Sequence, residues 1–398
     1  MANCGRKFNR ELSGRQVTDL CCGVTLLLFV LLFLFDPAGL QRDLFYNRGS
    51  DLLADFLNSV RHIALGNPYD AGHIQPPLGY LVLLPFTAFA DFTLPLSELW
   101  KSAGALTAAG VFVALSETVL IFFCCVCALK HGKRALGAVV WLVFSGVNLA
   151  AMERGTAVIL SAGCIAGFFA LYTAEKGAKR VAALFLLSAA GALKIYPALF
   201  ALVLVKKRDY KALLWCIFFG LLLGVLPFFC FSGGLKNIPR LLENVAVYRE
   251  TFAFSYVDEL MIHVLRNDFF LPGAEKLYVN FRRVVDVIVI FACAAELFGK
   301  ERVKMSFALA CCIALCPAGA MGYTLLYFAV PFIDSYASSD SDRISCVVAF
   351  VLALVYTPLR FACQLNLFLP VLLCSGVLLA TLIIRVKDFI KSRKTEGF

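Results

Sequence analysis

Two carboxylates, an arginine and a lysine stand out because the stretches around them are otherwise apolar. Asp51 and Asp55 are spaced one helical turn apart, and Asn58 and His62 continue the series at i+7 and i+11. On a helix these four side chains make one polar stripe, with Leu52, Phe56, Val60 and Ile63 on the other side. Farther along come Met152-Glu153-Arg154-Gly155 and Ala192-Leu193-Lys194-Ile195-Tyr196-Pro197. A carboxylate of this kind can take the proton of an attacking hydroxyl. An Arg and a Lys can stabilise a departing phosphate. Each feature also has a plainer use. A helix lying at an interface needs the same stripe, Glu153 with Arg154 suits a surface ion pair, and a lysine can snorkel. Lys194 is too far from the neighbouring basic clusters to snorkel to them, and an unpaired ammonium at that depth is costly.

The elements that must position these groups follow from composition. Of 398 residues 61% are hydrophobic and 16% charged, and the mean hydropathy is +0.82. A soluble domain of average composition carries about a quarter charged residues, so the apolar excess exceeds what a soluble interior hides. A disordered chain, a nucleic-acid-binding protein and a cytosolic enzyme are excluded. The net charge of +10 sits in short basic clusters between long apolar runs, which is how a polytopic membrane protein fixes its orientation. Most of the sixteen cysteines, Cys124, Cys125 and Cys127 among them, lie inside those runs as small hydrophobes. No Cys/His spacing suits zinc and no acidic cluster is dense enough for another ion, so neither metal nor cofactor is expected.

The expected fold class is therefore all-α, a bundle of roughly 10 to 13 membrane segments with short re-entrant pieces, forming one domain over residues 1–398. Leu20–Phe35 is followed by Asp36-Pro37 rather than a small-residue cleavage site and reads as a retained anchor. The clusters around Arg15, Lys130–Arg134, Lys176–Arg180, Lys206–Lys211, Lys300–Lys304 and Lys387–Lys394 place both termini in the cytoplasm. Residues 36–75 then form a first outward loop carrying the amphipathic helix, which Gly66-Asn67-Pro68 ends, and residues 233–276 form a second. Between Asp36 and Lys130 parity leaves two choices: Leu78–Ala90 dips in and returns, or Ala105–Leu129 breaks near Glu117. The chain must go out and back between Arg180 and Lys206, which sets Lys194 at an outward turn.

Outward chemistry without a nucleotide-binding glycine loop calls for a donor already carried in the bilayer, such as a polyprenyl-phosphate sugar. The run Asp55-Phe56-Leu57-Asn58, then Asn67-Pro68-Tyr69 and Gln75-Pro76-Pro77-Leu78, resembles the first-loop pattern of glycosyltransferase family 87. So do Glu153-Arg154-Gly155 and Lys194-Ile195-Tyr196-Pro197 followed by Lys206-Lys207. The resemblance implies a GT-C fold and an enzyme similar to polyprenyl-phosphate-mannose-dependent mannosyltransferases. It further implies inverting transfer to a glycan or glycolipid acceptor outside the cytoplasmic membrane, and an aspartate base that carries over to Asp55, with Asp51 as the competitor. Lys194 and Arg154 are then expected on the donor phosphate, and Asn58, Tyr69, Gln75, Glu153 and Tyr196 against substrate. Membrane lipids are the surrounding partner and no nucleic acid is expected. A transporter or flippase of a lipid-linked saccharide is the alternative; it would call for inverted repeats and midplane charges, and no repeat is evident.

Overall fold

The computed structural model describes residues 13–36, 52–172, 177–251, 273–298, 302–315, 322–338, 343–357, 376–384 and 386–387, and all regular structure among them is helical. Helices of seven residues or more are numbered α1 Gly14–Phe35, α2 Ala54–Ala64, α3 Pro77–Leu83, α4 Ala103–Leu129, α5 Leu136–Val143, α6 Gly146–Arg154 and α7 Val158–Leu171. They continue as α8 Ala178–Leu193, α9 Tyr210–Val225, α10 Asn237–Thr251, α11 Ala274–Phe298, α12 Arg302–Leu315, α13 Ala329–Ala337 and α14 Arg343–Val355.

Local chemistry explains the main boundaries. Ser13 and Gln16 cap α1 reciprocally, and Ser102 accepts the Ala105 N–H at the start of α4. Helix α4 runs for 27 residues without a break at Glu117, about 40 Å of rise. The second parity choice is therefore closed, and the stretch from Leu78 is the short piece, α3 followed by a 3₁₀ turn over Leu84–Phe89. The apolar run from Ala135 to Met152 is long enough in sequence for one span but is broken: α5 and α6 meet at a bend of 52°.

Among the described residues three helical stretches, Arg15–Phe35, Ala103–Leu129 and Tyr210–Cys230, are long and apolar enough to cross a membrane, and the bent pair makes a fourth if it is one span. That falls short of the 10 to 13 segments expected. The other apolar helices have 10–17 residues. Pro85 and Pro197 each sit in the first turn of a 3₁₀ piece, where a missing N–H is tolerated but regular α-helix is not continued. Hydropathy alone does not register such breaks.

Two apolar clusters fill the interior. The larger joins the C-terminal half of α4 to α5, α7, α8 and α12–α14, with Phe168, Phe307 and Phe332 fully buried. The smaller joins α2 and α3 to the N-terminal half of α4, and Phe56 packs there 5.6 Å from Phe86 and 5.4 Å from Phe112. Because α4 serves both clusters, α2 is held on the bundle by core packing. Its apolar stripe is buried as expected at Phe56, Val60 and Ile63, whereas Leu52 precedes the helix and is exposed.

Charged residues gather at two ends. At one, Tyr336 donates to Asp19 (2.8 Å), His131 pairs with Asp334 (3.0 Å), Lys130 donates to the Phe169 carbonyl (3.2 Å), and Lys206 donates to that of Glu296 (3.0 Å). Arg180 and Tyr172 both hold Asp209 there. These residues lie at alternating helix ends, so basic clusters far apart in sequence share one side. The other end carries α2 and the loops around it.

Candidate active site

The site is built where two helix ends meet. Leu53 takes a left-handed conformation (φ 55°) and gives its N–H to the Glu153 carbonyl at 2.6 Å, so α2 starts at Ala54, directly against the last turn of α6. Gly155 closes α6 at φ 63°, and a Cβ there would meet the Phe56 Cβ at 2.9 Å. Only glycine satisfies both the turn and the close approach. The Glu153-Arg154-Gly155 motif is thus a docking corner for the Asp55 helix.

This corner delivers Arg154 to Asp55. The guanidinium donates to Oδ1 of Asp55 through Nη2 at 2.6 Å and Nε at 3.2 Å, and both side chains are 23% exposed. The Tyr323 hydroxyl donates to the other oxygen, Oδ2, at 3.1 Å. One carboxylate therefore carries a cation on one oxygen and a neutral phenol on the other. Of the expected stripe, Asp55, Asn58 and His62 lie on α2. The described helix starts at Ala54, after the left-handed Leu53, and Asp51 lies outside the described residues. Asn58 remains on α2 and is half-buried.

Lys194 ends α8, its N–H bonded to the Ala190 carbonyl. Its Nζ lies 3.5 Å from Oε1 of Gln75, and its ammonium is pushed below the usual range by burial, with the charge of Asp55 opposing that shift. Tyr196 follows, its ring 5.6 Å from Tyr327, whose hydroxyl donates to Ser161 at 2.9 Å. Of the residues expected from sequence, Asp55, Arg154, Gln75, Lys194 and Tyr196 come together. Glu153 contributes its backbone carbonyl to the corner. Tyr69 meets this group only through its hydroxyl, which donates to the Gln75 carbonyl at 3.4 Å. It is 2% exposed, packed 5.6 Å from Tyr80 and 5.3 Å from Phe228, so its ring belongs to the core.

The first loop is held down by α10. Asn67 caps the turn at Pro68 and donates to Asn237 at 3.0 Å, Asn244 donates to the carbonyls of Tyr69 (2.9 Å) and His73 (3.0 Å), and Arg240 pairs with Asp70. Beneath this clamp the His62 and His73 rings lie 4.2 Å apart. Burial pushes the His73 imidazole down to about 4, and His62 is lowered too, by burial first and then by Arg61. Sequence reasoning missed Tyr323, Asn237 and Asn244. Tyr323 opens an otherwise apolar stretch, where a single hydroxyl is the whole signal; the two asparagines have no spacing that marks them.

Comparison with known families now has a geometry to meet. Residues 74–326 match the profile of glycosyltransferase family 87. The chain belongs to that family. No curated protein matches it closely enough to add a nearer relative. The family 87 region includes Gln75, Arg154, Lys194, Tyr196 and Tyr323 and begins after Asp55, so the carboxylate is reached through contacts that the matched region makes with α2. As a glycosyltransferase the protein must bring a sugar donor and an acceptor together. Among the described residues no group of three or more His, Cys, Asp or Glu side chains is gathered to hold a metal ion.

Proposed function

We propose that this family 87 protein moves a hexose, mannose-like, from a polyprenyl phosphate to a glycan or glycolipid on the outer side of the cytoplasmic membrane, with inversion and with Asp55 as general base. The observation that carries the reading is the convergence of Arg154 and Tyr323 on Asp55, with Lys194 beside them, at the end of the bundle away from the basic clusters. Basic clusters favour the cytoplasmic side, which puts Asp55 outside and both termini inside. Counting the five shorter apolar helices as crossings brings the described residues to eight, or nine with the bent pair, and we read the whole as a GT-C-like bundle.

In the reaction the acceptor oxygen attacks the anomeric carbon from the face opposite the phosphate. Its proton passes to the second lone pair of Asp55 Oδ2, while the Tyr323 hydroxyl stays on the first and holds the carboxylate in place. The bond between the anomeric carbon and the phosphate oxygen breaks with its electron pair, and polyprenyl phosphate leaves against the Lys194 ammonium. Arg154 holds Oδ1 and fixes the carboxylate, a role nearer to Asp55 than to the donor phosphate. Gln75 orients Lys194, Tyr196 borders the sugar, and Asn58 lies along the acceptor approach.

The test is Asp55→Asn, which keeps size and hydrogen bonding and cannot take the proton. Transfer from labelled polyprenyl-phosphate hexoses should fall by about 10²–10⁴-fold while donor binding and folding persist. Asp51→Asn should be milder. A dead Asp51→Asn with an active Asp55→Asn would move the base to Asp51. Two active variants would favour the flippase, which leaves the donor intact.

A further inference from the structure

A buried carboxyl group far from Asp55 in sequence has no part in this reaction. Glu117 lies near the middle of α4, 7% exposed, and Asn148 faces it from the first turn of α6, fully buried. Asn148 Nδ2 donates to Glu117 Oε2 and to the Val143 carbonyl, each at 3.2 Å, while Ser145 receives the Asn148 N–H. Among the described residues Glu117 Oε1 and Asn148 Oδ1 have no hydrogen-bond partner, and no cation is paired with Glu117. Two buried acceptors left facing apolar surroundings are costly, and an ionised carboxylate there far more so. A proton on the carboxyl removes that charge while the Asn148 amide still donates to Oε2.

The location gives the pair its consequence. Val143 is the last residue of α5, Asn148 sits in the first turn of α6, and the 52° bend lies between them. A single amide thus ties the end of α5, the start of α6 and the neighbouring α4 together. Two turns later the same short α6 ends in the Glu153 carbonyl and the Arg154 side chain that meet α2. We propose that Glu117, carried as a neutral acid, and Asn148 are positioning residues that set the direction of α6 and so aim Arg154 at Asp55. This rests on the reading of Asp55 as the base, and its tests separate the two.

Glu117→Gln keeps shape and hydrogen bonding without charge and should retain transfer within about threefold of wild type. Glu117→Met, similar in length and unable to hydrogen-bond, should lower kcat by about tenfold, the size of one lost buried hydrogen bond, with the donor KM little changed. In an Arg154→Lys background the Glu117→Met loss should largely vanish, because residues acting through one another are not additive. The same cycle, read by thermal unfolding of the purified protein, needs no substrate. Equal loss in Glu117→Gln and Glu117→Met would show that the carboxylate itself is needed and overturn the neutral pair. Full additivity with Arg154→Lys in the melting cycle would overturn the positioning role. Failure of the wild-type protein to turn over any polyprenyl-phosphate hexose would instead sink the functional reading and leave the melting cycle to decide this one. If Glu117→Met does not insert, Asn148→Ala takes its place in both cycles with the same expected outcomes.

Discussion

The two ends of the bundle hold charges in different ways. At the basic end the acids are spread over separate contacts: Asp209 joins α7, α8 and the start of α9, Asp334 joins α13 to the turn after α4, and Asp19 joins α1 to α13. At the α2 end, α6 and the Tyr323 turn meet at one carboxylate, and the end of α8 brings Lys194 within its field. Distributed pairs fasten helices; a convergent set prepares a single atom for chemistry. The comparison teaches that counting ion pairs does not find a site: Asp209 gathers as many helices as Asp55 does, and what sets Asp55 apart is a second, largely buried cation, Lys194, within its field.

The largest expected effect comes from exchanging equivalent changes between the ends. Asp209→Asn should lower the melting temperature while leaving turnover near wild type, in contrast to the Asp55→Asn loss; an Asp209→Asn enzyme as dead as Asp55→Asn would erase the distinction. Next is Lys194. Removing a charge that stabilises a leaving group costs about 10²–10³-fold, so Lys194→Ala should fall by that much, with Lys194→Arg partly active because the charge stays and the geometry changes. A folded Lys194→Ala variant with normal rate would make the lysine structural and narrow the convergent set. Tyr323→Phe removes one hydrogen bond to a charged group, about 1.5–3 kcal/mol, and should lower kcat by about ten- to a hundredfold with little change in folding.

The smallest effect concerns the clamp over the first loop. His73 titrates near 6.5 when unfolded and at about 4 when folded, and His62 is lowered as well. A folded group that resists protonation contributes stability above the unfolded value and loses it as pH falls, here from about 6.5 towards 4. Proteolysis of the first loop should therefore rise in that window, and His73→Gln should flatten the profile. The neighbouring charges are Arg61 and the Asp70–Arg240 pair, with Tyr69 and Tyr80 beside them. A flat wild-type profile would mean that α10 alone keeps the loop closed.

Sequence by itself determined the environment and the cast. Long apolar runs with basic punctuation can only be satisfied by helices in an apolar medium, because backbone polar groups there must pair within their own segment. Asp55, Arg154, Lys194 and Gln75 were legible for the same reason: each is a polar group whose burial is expensive and therefore conspicuous. Several other features were decided only in three dimensions. The kink at Leu53 depends on Glu153, a hundred residues away, and the bend between α5 and α6 sits where Gly146 meets the Thr357 carbonyl and Asn148 meets Glu117. Tyr323 reaches Asp55 across most of the chain, and the Tyr69 ring packs in an aromatic core while its hydroxyl still meets the Gln75 carbonyl. Periodicity reports which face of a helix is apolar, but which atom that face finally meets is fixed by packing.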